Sequence, residues 1–583
     1  MSTATSSVVV LGLDDSPIER PSPSRPPLVG RLEQQLLAFA RVLVPVADTA
    51  SGWSRVADVV AGAVGPVGVV DATYVGHASP LGDTIADNRW GSAVLVDDGG
   101  VRGVLRVGPA DLAAAHAAAQ ALSSDGATVR TAVLADRLAA AGVELRPVGP
   151  GPYVVGFAEE PDRARALLEQ AVGADEHRLR MAASARSDDG FYSTFVLRRL
   201  SRHLTAGALR LGLRPDTVTV LSLLIGLAAA VCFGIGERWA LVAGAVLLQV
   251  SLVVDCVDGE VARYTRRYSA FGAWLDGVSD RVKEFAVYAG LAGGAARSGA
   301  NLWLLAGVTM ALLVVRHHVD FGFAIRQQAR TVAGRPSGDR LGPRGGALPR
   351  LGQGAAALSE RTDDSPVARW AKRVVIMPIG ERWLVISIAA LWGPRTVFVA
   401  LLATGTVAAL YTTIGRVMRS VAENVAVRGA ELRDLALLTE VPVGVPAEPP
   451  PGWLGHRLGW LAPALSRAGE FGVVLAVAAA VDGAGPAAAF AVLAAVGLHL
   501  YDLVYRLRHL RRPPARWASM TVLGAVVRPA VLMVAGAVGP TAFSTACAAM
   551  AALLVTVSGV DGRAAWTDGP LVAGRPTIGQ ATQ

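Results

Sequence analysis

Between residues 217 and 418, apolar positions run in stretches close to the ~20 residues that a bilayer demands, and polar positions gather in the short breaks between them. Six spans are expected, at 217–235, 238–257, 281–297, 302–323, 377–394 and 396–418. The third is the weakest, because its GLAGGAA segment is only mildly apolar; small residues there suit close helix packing instead. A Pro-rich linker at 420–458, with VPVGVPAEPPPGW, is followed by a second apolar block at 459–562 with room for about four more helices. Residues 563–583 read as a disordered tail.

Upstream, the pattern changes period. In residues 1–183, Val8 to Leu11 reads as a buried strand, LVGRLEQQLLAFARVL has helical spacing, and GSAVLVDD and VRGVLRV read as strands. DLAAAHAAAQAL and DRARALLEQAV read as helices. Strands alternating with helices predict a soluble α/β domain with a mainly parallel sheet. Residues 184–216 place apolar positions at helical spacing among Arg198, Arg199, Arg202, His203 and Arg210. That suits an interfacial juxtamembrane helix with its cations toward lipid headgroups; an amphipathic helix packed on the soluble domain is the other reading. The fold class is therefore a mainly α-helical integral membrane protein. It has a six-helix membrane core, an N-terminal soluble α/β domain and additional C-terminal transmembrane helices.

Composition agrees with this division. Mean hydropathy is +0.42, and only 17% of the 583 residues are charged, so much of the chain belongs in lipid. The net charge of +8 is no nucleic-acid signal, since the arginines cluster in loops beside apolar runs. The loop 324–373 carries ten Lys or Arg against four Asp or Glu, while the turns near Arg238, Arg297 and Arg395 carry one base each. This bias places the 324–373 loop, the soluble domain and the active site on the cytoplasmic side of the cell membrane. VVVLGL is too short for a signal-peptide core. Cys232, Cys256 and Cys547 suggest no disulfide and no CxxC metal site.

The candidate chemistry lies in DCVDGEVARYTRRYSAFGAWLDGVSD, from Asp255 to Asp280. Asp255 and Asp258 are three apart, and Asp276 and Asp280 four apart. On helices, each pair stacks on one face. Four like charges converging beside apolar flanks repel, and desolvating each costs several kcal/mol. A divalent cation relieves that cost, and oxygen-only donors suit Mg²⁺ or Mn²⁺.

The stretch fits D-x2-D-G-x2-A-R-x8-G-x3-D-x3-D at every fixed position, and so resembles the signature of the CDP-alcohol phosphatidyltransferase family. The resemblance implies a six-helix CDP-alcohol phosphotransferase core that moves a substituted phosphate from a CDP-alcohol donor to an alcohol acceptor. CMP is released, with two divalent ions in the site. It implies that Asp255, Asp258 and Asp276 ligate metal, and that Asp280 helps hold the second ion and acts as general base. Gly259, Ala262, Arg263 and Gly272 would serve the nucleotide and diphosphate. Arg214-Pro215-Asp216-Thr217-Val218-Thr219 resembles the family's start of the first span, with Asp216 in place of its Asn. Gly380-Glu381-Arg382 resembles the family's Glu-Arg pair, and Arg326, Lys372, Arg373 and Arg382 form a basic set suited to an acceptor phosphate. A homodimer is carried over as an expectation, and membrane lipids are expected partners.

Two donors compete. CDP-diacylglycerol would make a phospholipid synthase; a soluble donor such as CDP-inositol would resemble the di-myo-inositol-phosphate phosphate synthases. The outline of the N-terminal domain resembles an inositol-phosphate or sugar-nucleotide nucleotidyltransferase. The acidic, Pro-rich LGLDDSPIERPSPSRPP stands where a triphosphate-cradling loop belongs, so the domain reads as degenerate. That domain and Asp188-Asp189-Gly190-Phe191 tilt the reading toward the soluble donor. A transporter using intramembrane carboxylates is the reading from another class. It predicts acids at the bilayer midplane, whereas these sit beside Arg263, Arg266 and Arg267. His317-His318 reads as packing, and Arg528 before Pro529 as a functional hint or a snorkelling side chain.

Overall fold

A computed structural model describes residues 7–12, 27–40, 42–49, 51–87, 91–184, 190–332, 366–423, 427–440, 452–510 and 512–568. The acidic loop after the first strand, Asp188-Asp189, most of the basic 324–373 loop, the Pro-rich run and the last residues of the tail lie outside these. The chain divides into two compact units, the first comprising residues up to Arg186 together with Glu260–Tyr268.

The first unit is α/β. Its strands are β1 (Ser7–Leu11), β2 (Leu43–Val46), β3 (Val67–Asp71), β4 (Tyr74–Gly76), β5 (Ser92–Val96), β6 (Arg102–Val107), β7 (Leu145–Val148) and β8 (Val155–Phe157). Its helices are α1 (Pro27–Leu37), α2 (Gly52–Ala61), α3 (Ala78–Ile85), α4 (Leu112–Ser124), α5 (Thr131–Ala140), α6 (Pro161–Gly173) and α7 (Glu176–Ser184). Six strands form one sheet in the order β2-β1-β3-β6-β5-β7, while β4 and β8 make a separate ribbon. β1 can be apolar throughout because both its faces are covered. Val9 and Leu11 pack with Trp53 and Val56 of α2 and with α4 and α5. Val8 and Val10 pack with Leu36 of α1 and Leu81 of α3.

The sheet is mainly parallel, as expected, but carries one antiparallel strand, β6. β1 pairs in parallel with β2 and β3, and β5 with β7, but β6 runs antiparallel to both β3 and β5. The cause is the turn Asp97-Asp98-Gly99-Gly100 between GSAVLV and VRGVLRV. Asp97 Oδ1 accepts from the backbone of Gly99 (2.9 Å) and Val101 (2.8 Å), and Gly100 supplies φ +83°. These strands form a hairpin.

The second unit is helical. It begins with a single π-turn at Ser193–Leu197 that leads into α8 (Arg198–Arg210). Then come α9 (Pro215–Ile235), α10 (Arg238–Thr265), α11 (Ala270–Arg297), α12 (Trp303–Val332), α13 (Pro366–Ile376), α14 (Ile379–Ala390), α15 (Pro394–Glu423) and α16 (Gly429–Thr439). The last are α17 (Ala462–Ala480), α18 (Gly485–His509), α19 (Arg516–Thr521), α20 (Gly524–Val538) and α21 (Pro540–Asp568). Among the described residues eight helical segments are long and apolar enough to cross a membrane: Pro215–Ile235, Arg238–Thr265, Trp303–Gln328, Pro394–Val421, Gly459–Ala480, Gly485–His509, Arg516–Val538 and Pro540–Trp566. The protein is a multi-pass membrane protein.

Two of the six expected core spans differ. The stretch 281–297 lies inside α11, which is 28 residues long, but Asp276, Asp280, Arg281, Lys283 and Glu284 make its first half polar. The stretch 377–394 yields only the 12-residue α14, about 18 Å at the α-helical rise. Pro378 disfavours a helical residue before it, and Met377 takes φ +54°, so α13 and α14 stay separate.

The packing of α9 on α11 follows from small residues. A Cβ at Gly290 would lie 2.2 Å from the carbonyl oxygen of Ala230, and one at Gly294 would lie 2.3 Å from that of Phe233. One apolar cluster runs from Ala229 and Leu248 through Val287, Met310 and Trp383 to Phe471, Leu493 and Leu554. The core helices and the C-terminal block therefore share a single interior. Valines and leucines such as Leu224, Val246, Val407 and Val534 face outward, as a bilayer permits. On α8, Arg199, Arg202 and His203 are exposed beside Leu200 and Leu204, while Ser201 and Thr205 are buried.

Candidate active site

The acid pairs sit where the sequence places them, one helical turn apart on α10 and on α11. Ser269 caps α11, its Oγ accepting from Gly272 N at 2.8 Å. Gly272 is needed at this start: a Cβ there would lie 2.8 Å from both Asp216 Oδ1 on α9 and Ser269 Oγ. Carboxylate oxygens of Asp255, Asp258 and Asp276 come within 4.8 Å of one another. Asp258 is buried, Asp255 half-buried and Asp276 exposed, so the cluster opens on the Asp276 side.

Helix α9 orients the buried acids. Thr219 Oγ1 donates to Asp258 Oδ2 at 2.5 Å, and Ser222 Oγ to Asp255 Oδ1 at 3.0 Å. Hydroxyls serve here because they can donate to a carboxylate without adding charge. Thr219 closes the Arg214–Thr219 segment, which gives that stretch its structural use.

Asp280 stands outside the group of three and faces a cation instead. Lys283, one turn further along α11 and fully buried, places Nζ 2.6 Å from Asp255 Oδ1, 3.1 Å from Asp280 Oδ1 and 2.9 Å from Ser222 Oγ. Its ammonium lies 5.1 Å from the centre of the Trp383 ring. The sequence reading missed Lys283, although a signal existed: among 55 basic residues the only lysines are Lys283 and Lys372.

The diphosphate set divides. Gly259 follows Asp258 within α10, and Ala262 lies one turn beyond on the same helix. Arg263 Nε donates to the backbone carbonyl of Ser184. The four acceptor candidates are each engaged in their own surroundings. Arg326 is fully buried and paired with Glu423 at 2.9 Å. Arg382 grips Glu284 through Nε at 2.5 Å and Nη2 at 3.1 Å, and Glu284 also accepts from Arg281 at 2.8 Å and Tyr288 at 2.9 Å. Arg373 lies over the Trp370 ring on α13, and Lys372 is half-buried beside it. Glu381 accepts from the backbone of Tyr192 at 3.1 Å, and a Cβ at Gly190 would strike its carboxylate.

The C-terminal block touches the motif helix directly. Trp274 Nε1 donates to Asp502 Oδ1 at 2.9 Å, and a Cβ at Gly277 would lie 1.9 Å from the Tyr505 hydroxyl. His317 Nδ1 meets the Tyr501 hydroxyl and His318 Nδ1 the Val314 carbonyl, so this pair packs. Arg528 neither snorkels nor stands alone: it is buried and holds Glu440 and Glu470, each at 2.6 Å. A groove of about 700 Å³ lies between α8, α10 and α14, lined by Leu200, Leu204, Val246, Val250, Leu384 and Ile388 among others.

Comparison with known proteins finds likeness in the segment that holds these helices. Residues 213–340 match the model of the CDP-alcohol phosphatidyltransferase family, and residues 353–581 match that of a family of unknown function. The chain is 36% identical over 104 residues to the bifunctional IPC transferase and DIPP synthase of Aquifex aeolicus, covering 18% of this chain and 23% of that one. It is 43% identical over 98 residues to the phosphatidylinositol phosphate synthase of Mycolicibacterium smegmatis, covering 16% and 41%. With that of Mycobacterium marinum the figures are 35% over 127 residues, 21% and 49%. The chain thus spans from about a quarter to about half the length of these relatives. The carboxylate helices α10 and α11 lie wholly inside the segment that matches the CDP-alcohol phosphatidyltransferase model.

Proposed function

We propose that this chain transfers a substituted phosphate from a CDP-alcohol to an acceptor alcohol, an inositol phosphate, at the cytoplasmic face of the membrane. The observation that carries this reading is the convergence of Asp255, Asp258 and Asp276 to within 4.8 Å across two helices. Three hard carboxylate donors at that spacing fit Mg²⁺ or Mn²⁺. Such an ion, when bound, supplies positive charge against the charge that grows on the leaving CMP. The residues do the rest. Thr219 and Ser222 fix the two buried carboxylates, Gly259 and Ala262 keep the adjoining helix surface low for the nucleotide, and Arg263 offers a guanidinium for the diphosphate.

Asp280 is the proposed general base. The acceptor oxygen attacks the phosphorus bearing the alcohol, its proton passes to Asp280, and the P–O bond to CMP breaks with its electrons leaving on CMP. Asp280 stands beside the group of three rather than in it, with the ammonium of Lys283 3.1 Å from its Oδ1. Lys372 and Arg373 on α13 are proposed for the acceptor phosphate. Arg326 and Arg382 would have to share their charge with Glu423 and Glu284.

The fused α/β unit and the likeness to an IPC transferase and DIPP synthase favour a soluble donor such as CDP-inositol. The apolar groove beside α10 favours a second reading, a lipid donor such as CDP-diacylglycerol, in keeping with the phosphatidylinositol phosphate synthases. CMP release in detergent with inositol phosphate as acceptor tests both. Metal-dependent release with CDP-inositol supports the first, release only with CDP-diacylglycerol replaces it with the second, and release with no donor tried overturns the transferase reading.

A further inference from the structure

We infer that Lys283 takes the place of one divalent ion, so that each site binds a single Mg²⁺ or Mn²⁺ with the lysine ammonium as the second cation. This rests on the reading that the carboxylates bind metal. The four acids divide into two environments. Asp255, Asp258 and Asp276 gather into one group, whereas Asp280 lies outside it and is bound to Lys283. Asp255 joins the two, with Oδ1 already taken by Lys283 Nζ at 2.6 Å and by Ser222 at 3.0 Å. An ion bridging Asp255 and Asp280 would have to sit where the ammonium sits.

The lysine is built in rather than resting there. Its Nζ donates to Asp255 and Ser222, and Asp280 Oδ1 faces it as an ion-pair partner at 3.1 Å. Its stem runs through a gap left by Gly226 on α9, where a Cβ would lie 2.7 Å from Lys283 Cγ and Cδ. In a chain that otherwise uses arginine almost everywhere, the choice is chemically specific. An ammonium is a compact point charge like a small metal ion, and a guanidinium fork is not. Charge leads to the same place. Four carboxylates and one ammonium leave three negative charges; one divalent ion reduces this to one, while a second would turn a buried site positive.

The test is the number of Mn²⁺ ions bound per chain, counted by electron paramagnetic resonance titration of the detergent-solubilised full chain with Mn²⁺ alone. We expect one ion for the wild type, one for Asp280→Asn, and two for Lys283→Met. Two ions in the wild type overturn the inference and leave the metal-dependent transferase reading intact; none overturns both. A count that stays at one in a folded Lys283→Met protein also overturns it. If that variant does not fold, the wild-type and Asp280→Asn counts decide: a fall to zero in Asp280→Asn makes Asp280 a ligand of the single ion and refutes the inference.

Discussion

Among the clusters of buried charge in the helical unit, two are built on opposite plans. Around Asp255 and Asp280, four carboxylates meet one ammonium. In the C-terminal block Glu440 and Glu470 meet Arg467 and Arg528 at 2.5–2.9 Å, with His499 Nε2 2.8 Å from Glu440. The second cluster is balanced in charge, two carboxylates against two guanidinium groups. It holds Glu440 at φ +45° at the end of α16, a conformation a non-glycine residue adopts at a cost of about 1–3 kcal/mol. The first is left short of positive charge on its open side, where Asp276 is exposed. A cluster balanced from within holds structure together, and one short of cations suits the metal-binding role proposed for it.

This contrast can be broken by substitution. Asp258→Asn should lower CMP release by at least about 10²-fold, a loss of the size seen when one charge-stabilising group is removed. The thermal midpoint should hold or rise, since a repelling charge is gone. Arg528→Met should do the reverse. It leaves Glu440 and Glu470 to share Arg467, one buried charge short of balance, so the protein should lose about 3–5 kcal/mol of stability, while turnover per folded molecule changes little. If Arg528→Met spared stability and abolished turnover, the two clusters would have to exchange roles. Gly277→Ala drives a methyl into Tyr505 and should cost about 1–3 kcal/mol; the double change with Tyr505→Ala should recover most of it, as read by thermal unfolding in detergent. Thr219→Val removes one hydrogen bond to a charged group, and should raise the Mn²⁺ concentration for half-maximal activity about 10-fold with little change in the maximal rate.

The unbalanced cluster was legible in the sequence because its acids are local. They fall at fixed spacing within 26 residues, on helices whose period sets which side chains share a face. The membrane character was equally legible from the apolar runs. The balanced cluster was not, since Arg528 finds its partners 58 and 88 residues away and only the fold brings them together. Lys283 was overlooked for a different reason: three residues after Asp280 on a helix, it resembles an ordinary surface pair, and only its burial between α9 and Trp383 shows otherwise. The β5–β6 hairpin was missed because GSAVLVDD was read as strand throughout, whereas Asp97 and Asp98 belong to the turn. The short α14 was hidden by apolar residues that continue past its end.

The contact at Gly290 and Gly294 has a mechanical consequence. Backbone touches backbone there, with no side chains between to act as a cushion, so α9 and α11 cannot slide past each other without a collision. The hydroxyls of Thr219 and Ser222 and the carboxylates of Asp276 and Asp280 therefore ride on one rigid strut. Under the proposed reading, admitting a bulky nucleotide beside the carboxylates calls for movement of some element other than α9 and α11.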